Sequence, residues 1–143
     1  MAQSTNQVIA LLSVSPVYAD RILSGMKQVE FRRSIFRDTV THVVLYATSP
    51  VQRVVGFFEV NGIDEGPPSE LWRRYQTTGS VNEEYFWAYY KGLARGYAIR
   101  VGRVYPLKVP VRLMDLCGID GPPQSFRYLD SSIISELSRL SGT

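Results

Sequence analysis

The chain has a single cysteine, Cys117, and a single histidine, His42. One cysteine excludes an internal disulfide and any zinc site built from thiolates, and one histidine excludes a histidine-rich metal centre. No metal and no cofactor is therefore expected. Long apolar runs are missing too: stretches such as Val43–Ala47 fall far short of the roughly 20 residues a membrane-spanning helix needs. The first residues lack a basic segment followed by an apolar core and a small-residue cleavage site, so no secretory signal is read there. A reducing cytoplasm is the expected location, with no membrane partner. Acidic residues are absent from Tyr85 to Met114, where Lys91, Arg95, Arg100, Arg103, Lys108 and Arg112 all fall. They gather instead at Asp64, Glu65, Glu70, Glu83 and Glu84. That asymmetry suits a basic face meeting a polyanion, or a solvated surface whose charges balance once the chain is folded.

What is present describes a globular domain. At 143 residues the chain can bury one real core, and its 45% apolar and 12% aromatic content excludes a disordered polymer. One domain is expected over residues 1–143, with a loose segment at 1–7 and an extension at 115–143 that ends in a helix. Val8–Val14 reads as a strand, bounded by Ser15-Pro16. Ser15 suits a helix N-cap and Pro16 the first helical position, where its missing N–H costs nothing. Tyr18 with Ile22 and Ala19 with Leu23 are helical i,i+4 pairs, and Gly25 can close the helix in the left-handed conformation. From Gln28 the period is two: Val29 and Phe31 share one face, Glu30 and Arg32 the other. His42–Thr48 and Arg53–Ile63 read as strands about a Ser49-Pro50-Val51 turn, with Gly56 or Gly62 marking a bulge or bend in the second. Ser69–Thr77 and Asn82–Gly92 read as short helices, the latter capped by Asn82. Tyr97–Val104 returns to alternation, and Lys108–Leu113 reads as a short or edge strand because of its prolines. Cys117–Ser125 is a loop, and Asp130 caps a last helix with an apolar stripe of Ile133, Ile134, Leu137 and Leu140. The expected fold class is α+β: a small mixed β-barrel with flanking short helices.

The densest chemistry lies in Lys27, Glu30, Arg32 and Arg33. Lysine supplies a point charge that desolvation can turn into a base, and arginine a planar fork for phosphate or a base edge. A glutamate among them can fix their geometry, accept from an exocyclic amine or move a proton. The plainer alternative is an exposed Glu30–Arg32 pair worth about 0–1 kcal/mol. Cations also interleave with aromatics in Arg73-Arg74-Tyr75 and Tyr85-Phe86-Trp87-Ala88-Tyr89-Tyr90-Lys91, where unpaired bases could stack. Phe86, Tyr89 and Tyr90 form the packing stripe, which leaves Tyr85 and Trp87 as the stacking candidates. Arg100, Lys108 and Arg112 share outward parity and could form a phosphate-facing patch. His42 reads as structural.

Gly25-Met26-Lys27-Gln28-Val29-Glu30-Phe31-Arg32 matches GxKxxExR, and the chain thereby resembles the ASCH domain family of the PUA-like superfamily. The flanks resemble it as well, in Leu12–Ala19, Tyr46–Val51 and Val54-Val55-Gly56, so the similarity runs from about Val8 to Leu113. The resemblance implies a β-barrel with a cleft between barrel and helices, lined by the signature residues. It implies recognition of RNA or a nucleobase, in some members linked to transcription or translation. A smaller enzymatic branch hydrolyses N4-acetylcytidine with a lysine, a threonine and a glutamate. Lys27 matches the lysine, Glu30 stands at the threonine position, and Glu83 or Glu84 are the candidates for the glutamate. Other relatives are described as ribonucleases.

The first expectation is thus a module that binds single-stranded RNA or a modified nucleobase through Lys27, Glu30, Arg32, Arg33, Ser15, Tyr85, Trp87, Arg100, Lys108 and Arg112. The second is an enzyme, an acyl-cytidine hydrolase or a ribonuclease, with Lys27 and Glu30 catalytic and the Lys27 pKa depressed by burial near Arg32. The third is a regulatory module that meets a protein partner through an apolar face of the tail helix.

Overall fold

The computed structural model describes residues 6–143; most of the segment expected to be loose lies outside the described residues. Eleven elements follow: β1 (Ile9–Val14), α1 (Pro16–Leu23), β2 (Val29–Arg32), β3 (His42–Ala47), β4 (Arg53–Gly66), α2 (Pro68–Tyr75), α3 (Glu83–Tyr89), β5 (Gly96–Val111), α4 (Leu113–Cys117), β6 (Phe126–Leu129) and α5 (Ile133–Ser141). The six strands form one mixed sheet in the order β2-β5-β4-β3-β1-β6. β1 runs parallel to β3, and the remaining pairs are antiparallel.

The apolar run Ile9–Leu12 of β1 follows from its place in that sheet. It has a neighbour on each side and a core on each face, and the strand's one polar residue, Ser13, stands near its end and donates to the Pro123 carbonyl at 2.7 Å. Ala10, Leu12 and Val14 face Ala19 and Ile22 of α1, while Ile9 and Leu11 face Leu113 of α4 and Leu137 of α5. A third core lies where Val29 and Phe31 of β2 and Ala98 of β5 meet Leu71 of α2 and Phe86 of α3.

The strand ladder does not close into a barrel by hydrogen bonding: among the described residues β2 and β6 are the two edges of the sheet. Side chains cross the gap instead. Arg32 Nη2 at the end of β2 donates to Ser125 Oγ at 2.9 Å, just before β6. Phe36, in the connection after β2, packs edge-on to Phe126 at 4.9 Å, and the Arg37 and Asp38 N–H groups both donate to the Tyr128 hydroxyl at 3.0 Å. The sheet therefore curls until its edges nearly meet, and a loop fills the seam.

Three elements differ from expectation. The two strands read around Pro106 are one 16-residue strand, β5. β2 pairs only with Tyr97–Arg100, so beyond Val101 one side of β5 has no strand neighbour and the missing proline N–H groups break no ladder there. The loop read over Cys117–Ser125 is preceded by the single helical turn of α4, and β6 follows it as a four-residue strand paired with β1. The apolar stripe of α5 is spent inside the chain: Leu137 is fully buried, and Ile133, Ile134 and Leu140 pack around it.

Gly56 sets how closely α1 approaches the sheet. A Cβ there would stand 2.7 Å from the Leu23 side chain and 2.9 Å from the Tyr105 carbonyl oxygen, and neither space is free. Gly56→Ala is expected to cost about 1–3 kcal/mol in denaturant unfolding, as overpacking does. Gly121→Ala, where a Cβ meets nothing within 4 Å, serves as the control and is expected to stay within about 0.5 kcal/mol.

Candidate functional site

The site begins where α1 ends. Ser24 takes the C-cap and Gly25 the left-handed conformation, with φ +88°, which turns the chain back under the helix. The Lys27 N–H donates to the Arg21 carbonyl at 2.8 Å, and the Gln28 N–H to the Thr78 carbonyl at 2.7 Å. Those bonds pull Lys27 inward instead of over the end of the strand. Its side chain is only 1% exposed.

The ammonium donates to the Gly79 carbonyl at 2.5 Å and lies 3.9 Å from Glu30 Oε1. The rings of Tyr18 and Phe31 stand 5.0 and 5.2 Å from it, within cation–π range. Gly79 must be glycine to present its carbonyl there, because a Cβ would overlap the Phe31 ring and approach the Tyr75 carbonyl to 2.7 Å. Glu30 is 6% exposed, and its Oε2 meets Arg32 Nη1 at 3.4 Å. The expected alternative of an exposed Glu30–Arg32 pair is therefore not what forms: the carboxylate is buried between two cations.

These side chains face a cavity of about 120 Å³. Ser13 and Val14 of β1 and Ser15, the α1 cap, form one wall; Tyr18 of α1 and Tyr85 and Tyr89 of α3 supply aromatic surfaces. α3 starts at Asn82, whose side chain accepts from the Tyr85 N–H at 2.7 Å. The 3.6-residue repeat then sends Phe86 and Tyr90 into the third core and turns Tyr85 and Tyr89 toward the cavity. Tyr18 and Tyr85 meet edge to face at 5.6 Å, and Tyr85 and Tyr89 stack at 5.9 Å.

Burial lowers the Lys27 pKa below its ordinary 10.5; Glu30 opposes that shift and the nearby Arg21 charge adds to it. Burial is the cause expected from the sequence; the cation that adds to it is Arg21, not Arg32. Burial raises the hydroxyls of Tyr18, Tyr85 and Tyr89 above 10.0, so they remain neutral donors. The cavity offers an ammonium, a carboxylate and hydroxyls along one polar row, with aromatic surfaces beside it. That row can pair with the polar edge of a planar heterocycle. It can also move a proton through Lys27.

Of the ten residues singled out in the sequence, five line the cavity: Ser15, Lys27, Glu30, Arg32 and Tyr85. The other five stand elsewhere. Arg33 lies over the Tyr89 ring at 4.8 Å. Trp87 is 37% exposed and its Nε1 donates to Glu83 at 3.1 Å. Arg100 pairs with Asp64 at 2.6 Å, and Arg112 forks onto Asp115 at 2.9 and 3.0 Å. Lys108 runs past Gly142 at the end of α5. With Arg95 also paired to Glu65 at 2.9 Å, half of the six cations in the acid-free stretch are balanced by carboxylates.

Sequence reasoning missed Tyr18, Tyr89, Gly79 and Ser125. Tyr18 and Tyr89 were absorbed into helical packing patterns, and a carbonyl donated by a glycine carries no compositional signal. His42, half-buried, meets Thr41 Oγ1 through Nδ1 at 2.9 Å, away from this cavity. Among the described residues no three His, Cys, Asp or Glu side chains converge as a metal site, and no helix is long and apolar enough to cross a membrane.

No model of a known protein family matches the chain. Individual relatives do. It is 34% identical over 124 residues to a Zymomonas mobilis protein named ASCH domain-containing ribonuclease, covering 84% of this chain and 83% of that one. The chain belongs to the ASCH domain family. The crystal structure of ASCH from Zymomonas mobilis superposes with a TM-score of 0.84 at 31% identity, over 92% of this chain and 94% of that one. A Ureaplasma parvum protein named large ribosomal subunit protein uL22 is 29% identical over 128 residues, which make up 89% of this ASCH chain but 40% of that protein. The mixed α+β architecture is therefore that of solved ASCH structures.

Proposed function

We propose that this ASCH domain binds single-stranded RNA by taking one unpaired base into the cavity of Lys27, Glu30 and Arg32. The observation that carries the reading is the buried polar row set beside tyrosine surfaces. A buried Lys27 and Glu30 beside a part-buried Arg32 are costly to assemble, and the three side chains face a concave, aromatic-lined space. Size narrows the ligand. About 120 Å³ is well below the roughly 300–1,000 Å³ of pockets for drug-sized molecules, so the cavity suits one planar ring. A base inside a duplex cannot present its edge in this way, which favours an unpaired strand. The Zymomonas relative's name, a ribonuclease, supports RNA as the ligand class. Trp87, Arg33, Arg100, Lys108 and Arg112 lie outside the cavity, and Arg100 and Arg112 are committed to Asp64 and Asp115.

Fluorescence anisotropy with an eight-nucleotide single-stranded RNA and its duplex tests the reading. The single strand is expected to bind more tightly, and binding is expected to weaken with salt. Tyr85→Ala removes an aromatic surface that is 45% exposed, so the fold is expected to survive. Loss of its stacking is expected to weaken binding by roughly 5- to 150-fold. Equal affinity for strand and duplex, together with no effect of Tyr85→Ala or Arg32→Ala, would refute the assignment.

A second reading, cleavage of the bound strand, is favoured by the lowered Lys27 pKa together with the relative's name. The neutral amine would take the proton of a ribose 2′-hydroxyl as its oxygen bonds to the adjacent phosphorus. The bond from phosphorus to the 5′-oxygen then breaks, and the proton returns to that oxygen. End-labelled RNA should yield 2′,3′-cyclic phosphate ends that disappear in Lys27→Ala; intact RNA at high protein concentration removes this reading and leaves binding. Acyl-cytidine hydrolysis has less to stand on. Glu30's carboxylate occupies the threonine position, and Glu83 and Glu84 are exposed outside the cavity.

A further inference from the structure

Tyr18 and Tyr85 also wall a second concavity. An open groove of about 470 Å³ shares Ser15, Tyr18 and Tyr85 with the cavity and adds Val17, Arg21 and Asn82. The edge-to-face tyrosine pair belongs to both spaces. No carboxylate lines the groove, and Arg21 is its charged residue. The Arg21 guanidinium is held in place by one bond, Nη1 to the Ser80 carbonyl at 2.9 Å, and lies 5.7 Å from the Tyr18 ring centre. Among the described residues one of its five N–H groups is committed to the protein, and the others can meet an anion. Beside it Val17 is 55% exposed, an apolar side chain presented to solvent next to the half-exposed Tyr85 ring. A fixed arginine fork flanked by apolar and aromatic surface matches the phosphate and ring of one nucleotide.

We propose that this groove is the subsite for the nucleotide next to the base held in the cavity, with its phosphate on Arg21 and its ring or ribose against Val17 and Tyr85. The inference rests on the RNA-binding reading above and deepens it: the recognised unit is two consecutive nucleotides of one strand. Tyr85 then serves both subsites. The groove lies open, as a continuing chain requires.

The test is competition against a fluorescein-labelled eight-nucleotide RNA by single nucleoside monophosphates and by dinucleotides. Dinucleotides are expected to compete roughly tenfold more strongly than mononucleotides, as one added stacking surface and phosphate contact would give. Val17→Glu, an exposed change that places negative charge in the groove, is expected to bring that ratio close to one. Arg21→Gln is expected to do the same. Circular dichroism shows whether each variant folds. A ratio near one in the parent protein overturns the groove assignment while cavity binding stands. So does a tenfold ratio that persists in both variants. Failure of every nucleotide to compete, or of the labelled strand to bind, overturns the groove and the cavity reading together.

Discussion

Lys27→Met is expected to fold about as stably as the parent chain and to bind single-stranded RNA roughly 10- to 150-fold less tightly. The two halves of that expectation have different origins. In the free protein the ammonium is 1% exposed, and its hydrogen-bond acceptor is one carbonyl, Gly79. Glu30 at 3.9 Å is too far for a direct hydrogen bond. Withdrawing such an ion from water costs several kcal/mol, and its loss leaves no uncompensated charge, because Glu30 keeps Arg32 as counter-charge at 3.4 Å. Methionine fills the same space, leaves the Gly79 carbonyl without its donor at a cost of about 1–3 kcal/mol, and removes the desolvation cost of the charge. The terms offset. Binding has no such compensation, because a ligand atom loses a charged donor worth about 1.5–3 kcal/mol. A variant that stays folded and binds as tightly as the parent would show that Lys27 serves packing alone.

The pH dependence of stability separates the same two roles. Burial lowers the Lys27 pKa in the folded chain below 10.5, so between that lowered value and 10.5 the unfolded chain carries more protons. Stability then rises with pH across that window. The raised tyrosines act in the opposite sense above 10.0, where the unfolded chain loses protons first. Comparing the parent with Lys27→Met cancels the tyrosines. Urea unfolding from neutral to alkaline pH is expected to show the parent gaining on the variant as pH rises. RNA binding by the ammonium has the reverse sign and weakens as Lys27 loses its proton.

The parts of the fold that were legible in the sequence are those fixed by local chemistry. Ser15-Pro16 opens α1, Gly25 closes it, and Asn82 caps α3 by accepting from the Tyr85 N–H. The bulge or bend expected at Gly56 or Gly62 has a counterpart at both: each lies at a break in β4–β5 register, and Gly62 has φ +114°. What was not legible depends on partners distant in sequence. β6 is four residues long, and only its pairing with β1 distinguishes Phe126–Leu129 from a loop. The prolines that argued for two strands are tolerated in β5 because β2 is too short to pair with its far half. The site divides in the same way. Glu30 and Arg32 share β2, and Lys27 lies two residues before it in the same signature. Gly79, Ser125 and Tyr18 reach them only through the turn at Gly25 and the curl of the sheet.

That curl makes Glu30 the residue whose loss should cost the most. Its carboxylate lies between Lys27 Nζ at 3.9 Å and Arg32 Nη1 at 3.4 Å, and it is 6% exposed. Glu30→Ala leaves two cations facing a small cavity without a counter-charge, a change expected to cost about 3–5 kcal/mol. Against the roughly 5–15 kcal/mol that holds a domain folded, this is a large fraction. Arg32 also bridges the sheet edges through Ser125, so a displaced guanidinium loosens the seam between β2 and β6. The Lys27→Met/Glu30→Ala double variant is expected to recover part of the loss, because one of the two unpaired cations is gone. A double-mutant cycle read from denaturant midpoints should give a coupling of about 0.5–3 kcal/mol. A Glu30→Ala cost below about 1 kcal/mol with additive single effects would mean that water solvates all three groups. The cavity could then not hold a charged lysine ready for a ligand. The size of that coupling therefore decides whether the three residues form one buried unit, and the proposed base pocket depends on that unit.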